Sequence, residues 1–189
     1  MKENSEDLAA RVRYGNEDAF GQMFNQHHQF ILRFIFSMVG DRELAEELTQ
    51  ETFMGAYRNR RSLRNEAKLS TWLCGIAKNV VSNSFRARRN ESHHRVEIDD
   101  SLSEMRGTTL APDKQLLGEE LNRVIRKALL RLDEDRRAVF VLKVFQQLSY
   151  EEMSEITGFS IPKLKTDLHR AKAEIRRLIR PYLEVKNEV

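Results

Sequence analysis

The chain has 189 residues, 40% hydrophobic and 32% charged, which suffices for one large or two small packed domains with a well-solvated surface. A net charge of +3 argues only weakly for a polyanionic partner, so the placement of charge matters more than its sum. One cysteine, Cys74, excludes an internal disulfide framework and suits a reducing compartment.

The first twenty residues lack the apolar core of a signal peptide. The longest apolar stretch, 30–39, is interrupted by Arg33 and Ser37 and is too short to span a bilayer. A cytoplasmic protein without membrane insertion is therefore expected. With three prolines, eight glycines and no alternating strand pattern, the chain reads as all-α.

A short helix is predicted from near Ser5 to Gly15. Asn16 caps a second, with Glu17 and Asp18 in its first turn. That helix carries Phe20, Phe24, Ile31, Ile35 and Met38 and stops at Gly40. Asp41 caps a third helix running to about Arg58. A polar loop then leads to Ser70, the expected cap of a fourth helix that fades near Arg89. From Asn90 to Asp113 the chain is polar and aperiodic, which marks a linker between two domains. Helices are expected beyond it near 113–131, 134–146, 149–157 and 160–184. Ser149 and Glu152 form a capping box, Gly158 sits in the turn, and Ser160 caps the last helix with Pro162 in its first turn. The domains are thus read as 1–90, a flexible linker 91–112, and 113–189.

Three surfaces can carry function. On the third helix, Ala45, Leu48, Thr49, Thr52 and Ala56 share a core face at 100° per residue. Opposite them run Glu43, Glu47, Gln50 and Met54, which suits either a plain solvated face or an acidic ridge for a basic partner. On the fourth helix, Leu73, Ala77, Val80, Val81 and Ser84 mark the buried side, and Trp72, Ile76, Asn79, Asn83 and Arg86 form a separate stripe. Trp can stack on an unpaired base, amides can bond base edges, and arginines can neutralise phosphates. The alternative is that Trp72 only covers the core. The third surface is the helix pair around Gly158, whose second helix has a core stripe of Leu164, Leu168, Ala171, Ile175 and Leu178 and an opposite side with Lys165, Thr166, His169, Arg170 and Arg177. This is the layout of a DNA-binding helix-turn-helix.

His27–His28 and His93–His94 are adjacent pairs that point in different directions on a helix, so no shared metal is expected. Cys74 has no second cysteine at ligand spacing. No phosphate loop, nucleophile elbow or zinc-protease motif occurs, and neither a cofactor nor an enzymatic activity is expected.

The acidic segment Asp41-RELAEELTQETF, the segment LSTWLCGIAKN and the C-terminal QLSYEEMSEI and LKTDLHRAK together resemble the extracytoplasmic-function (group IV) sigma factors of bacterial RNA polymerase. Glu47 stands where the family usually has Asp. The resemblance implies sigma domains 2 and 4 joined by a linker. It implies that Asp41, Glu43, Glu46, Glu47, Gln50 and Met54 dock on the clamp helices of the largest subunit of core RNA polymerase. It assigns the −10 promoter element to Asn65, Glu66, Ala67 and Lys68, whose loop captures a flipped base, with Trp72, Asn79, Asn83 and Arg86 on the melting strand. It assigns the −35 element to Ser160, Lys163, Lys165, Thr166, His169 and Arg170. Two partners, promoter DNA and core polymerase, follow, and by family analogy an anti-sigma factor. Asp167 departs from the family's frequent Arg, which puts the usual contact there in doubt. A stand-alone helix-turn-helix regulator would explain 113–180 but leaves the acidic ridge and the Trp/Asn stripe without a purpose.

Overall fold

A computed structural model describes residues 5–63, 68–92 and 117–184, and among them every regular element is helical. Four helices form the first domain: α1 (Ser5–Arg13), α2 (Glu17–Val39), α3 (Arg42–Asn59) and α4 (Leu69–Ser92). Four form the second: α5 (Leu117–Arg131), α6 (Glu134–Phe140, continued by a π-helical turn Val141–Phe145), α7 (Tyr150–Thr157) and α8 (Ile161–Glu184). The first four positions, 64–67, most of the expected linker and the last five positions lie outside the described residues. So do Asn65, Glu66 and Ala67.

The helix ends follow the local chemistry. Asn16 accepts from Ala19 N–H at 2.8 Å, and Asp41 from Leu44 N–H at 2.9 Å. Gly40 ends α2 in the left-handed region (φ 78°), which a glycine adopts without steric cost. Ser149 and Glu152 bond reciprocally, hydroxyl to N–H and carboxylate to N–H. Two boundaries differ from the sequence reading. α4 starts at Leu69, its first helical bond running from Trp72 N–H to the Lys68 carbonyl, so Ser70 lies inside the first turn rather than capping it. The same helix continues to Ser92, because nothing in 87–92 breaks it.

In the first domain α2 is central. Met23, Ile31, Phe34, Ile35 and Met38 are fully buried against Leu48, Phe53 and Ala56 of α3 and Leu73, Cys74 and Ala77 of α4. Thr49 and Thr52 enter this apolar face because their hydroxyls bond back to Ala45 and Leu48 carbonyls at 2.6 and 2.7 Å. Phe24 is partly exposed and packs edge-on to Phe53 at 4.7 Å. In the second domain Leu129, Val139, Leu142, Met153, Leu164, Leu168 and Ala171 form the core. The turn between α7 and α8 is pinned by two hydroxyls: Ser154 donates to Phe159 carbonyl at 2.7 Å, and Thr157 accepts from Phe159 N–H at 3.1 Å.

The two domains pack together, and their cores are continuous. Arg137 of α6 is central to the joint. Its guanidinium donates to the Met38 carbonyl at the end of α2, and to Leu130 and Leu132 carbonyls at 2.8 and 2.9 Å. Unpaired carbonyls and the negative dipole end make a helix C-terminus a natural seat for a cation. Burial pulls the Arg137 pKa below its usual range, while Glu134 and Asp133 pull it back up. Its plane also lies over Phe85 of α4, 5.8 Å from the ring centre. The Leu130 side chain fills the space beside Gly40, where a Cβ would meet it at 2.5 Å. Elsewhere on the joint, the Ser82 hydroxyl donates to Glu134, and Lys68 pairs with Glu152 at 2.8 Å.

Two outcomes are expected. Burial pushes the Cys74 thiol up to about 12, so native protein at pH 8 should resist iodoacetamide that modifies the denatured chain at once, as read by mass spectrometry. Dyes can therefore be placed on Gln26→Cys and Lys172→Cys to follow domain separation by energy transfer. Arg137→Met should open the joint markedly, since it strands three carbonyls at about 1–3 kcal/mol each where they stay dry. Glu152→Gln keeps the capping box, removes a largely exposed ion pair, and should open the joint only slightly.

Candidate nucleic-acid and partner interface

The acidic ridge on α3 faces outward. Glu43, Glu46, Glu47, Gln50 and Met54 are all exposed, Met54 at 61%. Glu46 is paired with Arg42 at 2.8 Å, whereas among the described residues no ion pair or hydrogen bond engages Glu43 or Glu47. Asp41 spends one carboxylate oxygen on the helix cap, so its first role is local. Sequence periodicity overlooked a neighbouring apolar strip. Tyr57 (40% exposed) meets Phe20 edge-on at 5.1 Å, Arg60 stacks on Tyr57 at 4.5 Å, and Phe24 lies beside His28 and Phe53. Aromatic exposure at a helix–helix seam, which needs both helices in place, was the signal.

The α4 stripe divides in two. Asn83 and Arg86 are exposed, while Trp72 and Ile76 are half-buried. Trp72, Ile76 and Asn79 line a cleft between the domains together with Arg13, Arg61, Lys68 and, from the other wall, Ser149, Glu152, Glu155 and Ile156 of the α7 region. The cleft is basic on the α4 side and acidic on the α7 side. Lys68 and Glu152 bridge it, and Lys68 holds the Glu152 carboxyl below its usual range, helped by the Ser149 N–H. Thr71 Oγ1 is buried there without a hydrogen-bond partner among the described residues. In this arrangement α7 covers part of the surface that the sequence assigns to single-stranded DNA.

On α8, Ser160 occupies the cap position, its carbonyl accepting from Leu164 N–H at 3.0 Å. Lys165, Thr166, His169 and Arg170 are exposed on the side away from the core stripe of Leu164, Leu168, Ala171 and Ile175. Lys163 is different: it is tied to Asp167 and Asp135. Among the described residues no group of histidine, cysteine and acidic side chains could hold a metal. No helix there is long and apolar enough to cross a membrane.

The comparisons with known proteins match both halves. Sigma-70 region 2 matches residues 23–91, which span α3 and α4, and Sigma-70, region 4 matches 122–175, which span the helix-turn-helix. The chain is 32% identical over 162 residues to the RNA polymerase sigma factor YlaC of Bacillus subtilis (strain 168), covering 86% of this chain and 92% of that protein. It is 29% identical over 175 residues to the ECF RNA polymerase sigma factor SigW of the same organism, covering 90% and 94%. Among solved structures, the sigma factor RpoE in complex with the anti-sigma factor NepR from Bartonella quintana is similar with a TM-score of 0.73 and 25% identity, over 85% of this chain and 96% of that one. A stand-alone helix-turn-helix regulator is not favoured, because the match to region 2 covers the half of the chain which that reading leaves without a purpose. With both sigma-70 regions matched in order along the chain and these relatives covered over nearly their whole length, the chain belongs to the extracytoplasmic-function sigma factors, the initiation subunits of bacterial RNA polymerase.

Proposed function

We propose that the chain acts in the cytoplasm as a non-catalytic specificity subunit whose polymerase-docking ridge is open while its promoter-melting surface is covered. The observation that carries this is the contrast between two faces of the first domain: Glu43, Glu47, Gln50 and Met54 are exposed, whereas Trp72 and Ile76 are half-buried in the cleft under α7, with Asn79 exposed at its edge. The ridge, with Phe24 and Tyr57 beside it, has an apolar patch edged by carboxylates. That anatomy suits a basic helical surface such as the polymerase clamp. The working units are 1–90, a linker 91–112 and 113–189.

DNA engagement requires the domains to part. Lys68 then exchanges Glu152 for a phosphate, and Trp72, Asn79 and Asn83 reach bases unstacked from the duplex, with Arg86 on the backbone. Asn65, Glu66 and Ala67 would complete the −10 pocket. Extruding a base costs a few kcal/mol, which stacking and the polymerase contacts must offset. The exposed side of α8 presents Lys165, Thr166, His169 and Arg170 to the major groove at −35. An anti-sigma factor is the partner expected to act on the same equilibrium, as the RpoE complex suggests.

The test adds purified chain to core polymerase and measures promoter-specific run-off transcription. Glu47→Lys together with Gln50→Lys should abolish initiation while leaving the thermal transition within a few degrees, because both positions are exposed. Retained initiation by that variant would remove the docking ridge from the reading. Trp72→Ala should reduce initiation by about 10-fold or more on intact promoters, given ~1–3 kcal/mol per stacked base, and by less on premelted templates. Equal loss on both templates would limit Trp72 to a packing role.

A further inference from the structure

The start of α8 carries one lysine that is not free to meet DNA. Lys163 and Asp167 are one turn apart on the flank between the core stripe and the outward side. The Lys163 ammonium lies 2.6 Å from Asp167 Oδ2 and 3.5 Å from Asp135 Oδ2 on α6. It also sits 3.5 Å from the centre of the Phe159 ring. Asp167 is 8% exposed, and Lys163 is the one cation paired with it among the described residues. Removing that cation would leave a buried charge uncompensated, a strongly unfavourable state. Charge-assisted bonds of this length are about twice as strong as neutral ones. Burial opposes the Lys163 charge, yet the two carboxylates hold its pKa above the usual lysine range.

Two carboxylates around one ammonium also make this corner net negative, which disfavours a phosphate there. The other candidate readers differ. Lys163, Lys165, His169 and Arg170 are all exposed, but among the described residues no carboxylate engages the last three. Thr166 donates its hydroxyl to the Pro162 carbonyl at 3.0 Å, which leaves its oxygen able to accept.

We propose that Asp167 is a specificity-determining residue that withdraws Lys163 from the DNA face, so that −35 readout falls to Lys165, Thr166, His169 and Arg170. This rests on reading α8 as the DNA-contacting helix. At position 167 this chain places an anion that offsets the cation one turn before it, so its upstream-element preference is set by a helix poorer by one positive charge.

The experiment uses holoenzyme assembled from core polymerase and the full chain. Promoter fragments randomised across the upstream element are bound, the retained ones are sequenced, and affinity is followed against salt. Asp167→Asn should free Lys163, change preference at adjacent positions and steepen the slope of log K against log salt by about 1. Adding Lys163→Met to Asp167→Asn should return the slope to its original value. A double variant, Lys163→Met with Asp167→Asn, whose slope is shallower by about 1 than that of the unaltered chain overturns the proposal. So does an Asp167→Asn variant that folds, by circular dichroism, yet changes neither readout. If Lys165→Met and Arg170→Ala also leave preference and slope untouched, it is the assignment of α8 to DNA that fails.

Discussion

One buried guanidinium holds the two halves of this protein in register. Arg137 reaches from α6 to the carbonyl ends of α5 and α2 at once, taking Leu130, Leu132 and Met38 as acceptors. A fixed planar fork suits that task, since the acceptors lie in different directions and a lysine's single ammonium nitrogen cannot span them in the same way. With α2 and α5 tied end to end, Leu130 falls beside Gly40 and α7 is carried over α4. The weaker contacts, Lys68 with Glu152 and Ser82 with Glu134, then form at positions that this geometry has already chosen.

That arrangement gives α4 two occupied sides. Its apolar side closes the core of the first domain through Leu73, Ala77 and Val81, and its Trp72–Asn79 side faces the cleft under α7. In the proposed reading the same stripe must bind DNA, so closure and promoter opening compete for one surface. The competition is chemically symmetric: Glu152 offers Lys68 a carboxylate where DNA would offer a phosphate. In the same reading docking on polymerase does not compete, because the proposed α3 ridge lies on the exposed side of the first domain. Recruitment can therefore precede exposure of the melting surface.

Much of the fold was legible in the residues. Asn16, Asp41, Ser149 and Gly158 mark helix ends through their own hydrogen bonds or backbone freedom, and each acts where its type predicts. The core stripes of α3, α4 and α8 follow from helical periodicity. Ser70 misled, because a cap is defined by where the chain leaves helical geometry, and that point is Lys68. The ridge on α3 and the outward side of α8 were readable as charge patterns, but their availability was not. Lys163 and Lys165 look alike in the sequence and both are exposed, yet Asp135 and Asp167 pair with the first alone.

The sequence by itself determined the helices, their order, the two domains and the family, because caps, periodicity and motif spacing act over a few residues or along one helix face. Only the tertiary structure decided that α7 shields the Trp72 side of α4, that Arg137 clamps two helix ends, and that Lys163 of α8 is paired with two carboxylates. These features depend on groups separated by up to about a hundred residues, such as Arg137 and the Met38 carbonyl, whose meeting no local rule encodes. The acidic helix and the helix-turn-helix were visible from the start. Which of their surfaces is open and which is covered is a property of the packed chain.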